Sequence, residues 1–193
     1  MELIPEELDW MNESELRCKD SRFFVRSTPR SDFFCSPETG DVVATAPFLY
    51  RDVDGDFRMN VRVRPTFVST YDACSLFVYA RDRQWLKVAF ELTDIGTHSI
   101  VTVATDGYSD DANGVDIAND TVYLQLIRKG DVFVCHYSTD GATFKMARIL
   151  GINMPTAVRV GVSVQAPTGE GQWMEFSDLN LTKTIPADIR TSK

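Results

Sequence analysis

The chain is predicted to fold as an all-β protein, a jelly-roll sandwich of two antiparallel sheets, and three observations carry that prediction. Apolar residues recur with a period of two along almost its whole length, helix signals are confined to the first 20 residues, and turn residues separate about ten strand-like runs at near-regular spacing. FRMNVRVR, residues 57–64, is the clearest run. Phe57, Met59, Val61 and Val63 alternate with Arg58, Asn60, Arg62 and Arg64, as in a strand with one wet face. WLKVAFEL (85–92) puts Leu86, Val88, Phe90 and Leu92 on one side and Trp85, Lys87, Ala89 and Glu91 on the other. TVYLQLIR (121–128) turns at Lys129-Gly130 into DVFVCHYS (131–138), a two-residue hairpin signal, and Ser138-Thr139-Asp140-Gly141 turns again into ATFKMARI. VRVGVSVQ (158–165), WMEFSDLNL (173–181), SRFFVRS near the start, APFLYRD (46–52) and ACSLFVYA (73–80) complete the set. The helix signals are Pro5-Glu6-Glu7-Leu8 and Ser14-Glu15-Leu16.

Size and charge narrow the class. The 193 residues suit one domain, read here as residues 1–185 followed by a polar, loose tail at 186–193. With 44% hydrophobic and 25% charged residues the composition is globular. The balance of 20 Lys+Arg against 28 Asp+Glu gives −8, with no basic stripe, so a nucleic-acid partner is not expected. No apolar run reaches the ~18 residues of a membrane span, and MELIPEELDW lacks the basic start and apolar stretch of a signal peptide, so a cytoplasmic protein without a membrane partner is expected. Cys18, Cys35, Cys74 and Cys135 are widely spaced and read as free thiols; the sequons at Asn12, Asn119 and Asn180 carry no weight outside the secretory path.

Motifs of catalysis are sparse. No nucleophile elbow accompanies His136, no Gly-rich phosphate loop exists, and Cys and His lack zinc spacing, so no cofactor and no metal is assigned. Asp52-Val53-Asp54-Gly55-Asp56 fails as an EF-hand, because its twelfth position is Val63. The acidic stretch Asp106 to Asp111, with Asp116, reads as a loop of ordinary turn residues. Glu91 is alone among the acids on its strand, and Glu175 and Asp178 fall on opposite faces, so the carboxylate pair of a glycoside hydrolase has no positive support. The informative feature is a strand face bearing Trp85, Lys87 and Glu91. It suggests a polar, aromatic-lined sheet that a curved jelly roll would present as a groove. Lys87 and Glu91 lie ~13 Å apart along a strand, too far for a direct pair.

A family resemblance enters through short motifs kept in order. Asp32-Phe33-Phe34, Phe48-Leu49-Tyr50, Gly55-Asp56-Phe57, Tyr71-Asp72, Trp85-Leu86-Lys87 with Glu91, and Tyr108-Ser109-Asp110 open the series. Tyr137 to Gly141, Arg148, Val160-Gly161-Val162, Ala166-Pro167 and Gly171 continue it. Across nearly the whole chain they resemble a concanavalin A-like domain-of-unknown-function family that includes a fungal regulator of enolase. The chain departs from the family pattern at Phe34, Asp111 and Phe144, where Trp is usual, and at Ala73-Cys74-Ser75, where Gln-Ala-Gly is usual. The resemblance implies a concanavalin A-like fold shared with lectins and glucanases. It also marks Asp32, Tyr71, Asp72, Lys87, Glu91, Ser109 and Asp110 as binding-face candidates. Trp85 and Gln125 join them from the strand pattern. The function expected is a non-catalytic module binding a polar ligand, plausibly a saccharide, on its concave sheet. Trp85 or Tyr71 would stack on a sugar face while Lys87, Glu91, Asp72 and Gln125 bond its hydroxyls. The alternatives are a protein-interaction regulator of an enolase-like metabolic enzyme and, if the chain is an enzyme, a glycoside hydrolase.

Overall fold

A computed structural model describes residues 1–193. It holds two seven-stranded antiparallel sheets and a small two-stranded one. The first sheet runs β1 (Asp9–Met11), β6 (Phe48–Asp54), β15 (Ala157–Gln165), β8 (Ala73–Arg81), β9 (Gln84–Leu92), β10 (His98–Asp106), β11 (Tyr108–Asp116). The second runs β14 (Lys145–Gly151), β13 (Val132–Ser138), β12 (Val122–Lys129), β7 (Phe57–Arg64), β16 (Trp173–Thr182), β3 (Arg22–Arg26), β2 (Leu16–Lys19). The remaining pair, β4 (Phe33–Cys35) and β5 (Val42–Ala44), crosses the outside of the first sheet. The arrangement is the expected jelly-roll sandwich. No helix is long and apolar enough to cross a membrane.

Period-two patterning builds the core. Met59, Val61 and Val63 of β7 and Leu124 and Leu126 of β12 meet Leu86, Val88 and Phe90 of β9 and Val158, Val160, Val162 and Val164 of β15 in a cluster of 34 buried residues. The predicted strand limits hold to within a residue or two for β7, β8, β9, β12, β13, β15 and β16. Three local readings are corrected. Pro5–Glu7 is one 3-10 turn, and Leu16, read as helical, opens β2. The acidic stretch after Gly107 is the edge strand β11, whose eight exposed positions a turn-composition argument cannot distinguish from a loop. An edge strand rich in acids resists further pairing, which explains its composition.

Gly161 is a point of close approach between strands. A Cβ there would lie 2.0 Å from the Leu49 carbonyl oxygen of β6, backbone that cannot swing away. Gly161→Ala should therefore cost about 2 kcal/mol, the usual scale of overpacking, measurable by urea unfolding. An unchanged midpoint would mean that β6 and β15 separate freely.

Candidate functional site

The outer face of the first sheet divides into two halves with different fates. Pairing registers place side chains in rows across it. One row is Arg159, Tyr79, Trp85, Thr105, Ser109; the next is Gly161, Phe77, Lys87, Val103, Asp111. A third row is Ser163, Ser75, Ala89, Val101, and a fourth is Gln165, Ala73, Glu91, Ser99. β4 and β5 roof the first half. Phe33, Cys35 and Ala46 pack there with Phe48, Phe77 and Trp85, and the Phe33 ring meets the Trp85 ring edge-on at 5.6 Å. Beyond the roof, the small residues of the third and fourth rows leave a depression of about 280 Å³ lined by Asp32, Phe34, Tyr71, Lys87, Glu91, Asp111, Gln165, Pro167 and Thr168.

Gln165 organises this pocket. Its Oε1 accepts a hydrogen bond from Lys87 Nζ at 2.8 Å, and its Nε2 donates to Glu91 Oε2 at 3.3 Å and to the Tyr71 carbonyl at 3.1 Å. Gln165 sits two strands from Glu91 with Ala73 between them in register, so only a methyl group stands in the way of the reach. The ~13 Å strand spacing that keeps Lys87 and Glu91 from pairing is thus bridged by one amide. Lys87 Nζ also donates to Asp32 Oδ1 at 2.9 Å. Asp32 is held over the sheet by its own carbonyl, which accepts from Thr45 and Ala46, and by the bridge between Ser31 and Ala166.

Burial sets the charges. Lys87, Glu91 and Gln165 are each at most 5% exposed. Glu91 is pushed up to about 8, chiefly by desolvation, against the lowering influence of Lys87 and with the carboxylates of Asp111, Asp32 and Asp94 adding to the rise. Burial pulls the Lys87 ammonium down, but Asp32 and Glu91 together outweigh it and leave the group above its ordinary value. Near neutrality the pocket therefore holds the Lys87–Asp32 ion pair, 2.9 Å long, beside a largely protonated Glu91. Asp111, too, is raised by desolvation. Lys87 has spent two of its three N–H groups, and Glu91 Oε1 and Asp32 Oδ2 make no hydrogen bond within the protein. These unspent atoms and the exposed Tyr71 ring can meet a ligand.

Of the nine predicted residues, Asp32, Tyr71, Lys87 and Glu91 come together in the pocket. The other five do not. Trp85 is fully buried beneath β4, so it cannot stack on a ligand; period-two parity puts it on the correct face but is blind to the roof. Asp72 is buried and its Oδ2 accepts from the Val68 and Ser69 amides, which shapes the loop leading to Tyr71. Ser109 is buried and ties the Cys35 amide to Thr105. Asp110 faces away and pairs with Arg148 at 2.7 Å. Gln125 lies on β12 of the other sheet, where Ser192 donates to it. Phe34, Asp111, Gln165, Pro167 and Thr168 complete the pocket without having been predicted to bind. Gln165 could have been found, since it continues the outward parity of Gly161 and Ser163.

Comparison with known proteins places the chain in a family. Residues 10–184 match the family described as "Protein of unknown function (DUF1349)". The chain belongs to this family. The chain is 25% identical over 178 residues to "Regulation of enolase protein 1" of Saccharomyces cerevisiae, covering 91% of this chain and 89% of that one. The crystal structure of a functionally unknown protein from the same yeast superposes with a TM-score of 0.88 at 23% identity, covering 94% of this chain and 98% of that one. Carbohydrate binding module CBM66 from Bacillus subtilis superposes at 0.58 with 9% identity over 89% and 94% of the two chains, a likeness of fold alone.

Proposed function

We propose that this protein is a non-catalytic module that binds a small neutral saccharide in the pocket over β8, β9 and β15. The observation that carries the reading is the buried bridge from Lys87 through Gln165 to Glu91. It presents unspent donors and acceptors at the floor of a depression flanked by Tyr71 and Phe34. Sugar sites combine fixed hydrogen-bonding groups with an aromatic ring, and both are present. At about 280 Å³ the space lies just below the ~300–1,000 Å³ of drug-sized clefts, which suits one ring better than a chain of them. Two carboxylates against one ammonium disfavour uronic or phosphorylated sugars. The fold shared with a carbohydrate binding module supports the same reading. The exposed free Cys18 fits a reducing, cytoplasmic setting.

Isothermal titration with a panel of neutral monosaccharides and disaccharides tests the proposal. At least one should bind, and Lys87→Ala or Glu91→Ala should weaken it tenfold or more, since each removes a hydrogen bond involving a charged or buried group. Binding that survives both substitutions would place the ligand elsewhere, and a blank panel would favour the second reading. That reading is an interaction protein that modulates an enolase-like enzyme, supported by the name of the yeast relative.

A further inference from the structure

The outer face of the second sheet carries a row of polar side chains that is partly buried. Registers align His136 of β13, Gln125 of β12, Asn60 of β7 and Asn180 of β16 across four adjacent strands. The neighbouring row on the same face contains Val134 and Ile127. All four residues contributed by β12 and β13 are at most 1% exposed, although they point away from the intersheet core. The C-terminal segment lies over this face and meets the two polar residues among them. His136 Nε2 meets the Arg190 carbonyl at 3.0 Å, and Ser192 Oγ donates to Gln125 Oε1 at 2.6 Å.

The occupant is a small preformed knob. Asp188 and Lys193 exchange two backbone hydrogen bonds at its base, and the Asp188 carboxylate caps the Arg190 amide and the Thr191 hydroxyl. Ile185, Pro186, Ile189 and Ser192 are half-buried while their neighbours are exposed. The surface beneath is not used up by this occupant. A carbonyl can only accept, so His136 bears its proton on Nε2, and its buried Nδ1 is a bare acceptor without a partner. Asn60 Oδ1 and Arg58 Nε on the same face are likewise buried and unbonded. Buried polar atoms rarely stay unpaired unless a site is incompletely filled.

We propose that the His136–Gln125–Asn60 row, with its Ile127–Val134 floor, is a second binding site, specific for a short peptide turn offering one apolar side chain, a carbonyl and a hydroxyl. Residues 184–193 occupy part of it as a built-in ligand that can leave. The site is independent of the pocket on the opposite sheet. All 34 residues of the intersheet core lie between Leu3 and Leu181, so a chain ending at Lys183 keeps every one of them.

The test uses that shortened chain and the synthetic peptide Thr184–Lys193. The peptide should bind it saturably, shift the His136 ring resonances in NMR spectra, and bind the full chain at least tenfold more weakly because the site is occupied. A Ser192→Ala peptide should lose about tenfold. Absence of binding, or equal binding to both chains, overturns the proposal. In the full chain, Gln125→Ala and Ser192→Ala should each move the His136 resonances and speed trypsin cleavage after Arg190. Unchanged resonances and cleavage in both variants would overturn it as well, whether or not the shortened chain folds.

Discussion

Lys87→Met should destabilise the protein by about 3 kcal/mol, read as a fall in the urea midpoint at pH 7. Methionine matches the length of the lysine stem, so little packing is lost, and the cost comes from the partners left behind. Asp32 Oδ1 loses its cation and Gln165 Oε1 loses its donor inside a site where Gln165 is 5% exposed. Removing one partner of a buried ion pair costs about 3–5 kcal/mol, and the partial exposure of Asp32 puts this case at the lower end. Lys87→Met combined with Asp32→Asn should recover part of the loss, since the asparagine carries no charge and its oxygen can still accept from the Phe33 amide. A single variant that costs less than about 0.5 kcal/mol would mean that water, not Lys87, satisfies Asp32.

That dependence on partners explains how much of the site was legible in the sequence. Alternation along β9 is a local property, so the shared face of Lys87 and Glu91 could be read directly. What covers that face is not local. Trp85 has the same parity as Lys87, yet Phe33 and Cys35, some 50 residues earlier in the chain, bury one and leave the other at a pocket. Gln125 and Gln165 end up on different sheets because sheet membership follows from strand order, to which parity is silent. The fold was legible for a related reason. Strand runs that mostly carry one apolar face are enough to specify two packed sheets, whereas β10 and β11, one buried on both faces and the other almost wholly exposed, offer no alternation to read. The tail carries only a polar composition, which says nothing of the buried row it covers.

Glu91 should give the protein an unusual dependence of stability on pH, and Glu91→Gln should remove it. The carboxyl rises from 4.5 to about 8 on folding because the pocket floor desolvates it. Between those values the native state holds a proton that the unfolded chain releases, so stability falls as pH increases, by about 1.4 kcal/mol per pH unit. The contribution is complete below pH 4.5, declines through pH 8 and is constant above it, a total of about 5 kcal/mol. Asp111, raised by the same desolvation, adds in the same direction. Asp140, lowered by the Thr143 and Ala142 amides, acts oppositely and only in acid, where its protonation costs stability. Lys87, raised, loses its contribution only as the solution passes its ordinary value of 10.5. The difference between Glu91→Gln and the parent chain isolates the group. The two should be nearly equal at pH 4.5, and the glutamine variant should be the more stable by several kcal/mol at pH 8.5, since its amide oxygen can accept from Gln165 without ever carrying a charge. A difference curve flat across this range would mean that Lys87 keeps Glu91 ionised, with the pocket floor holding a carboxylate rather than an acid. A ligand would then meet an acceptor at Glu91 in place of a donor, and sugars lacking a hydroxyl there would be told apart by their losses in binding.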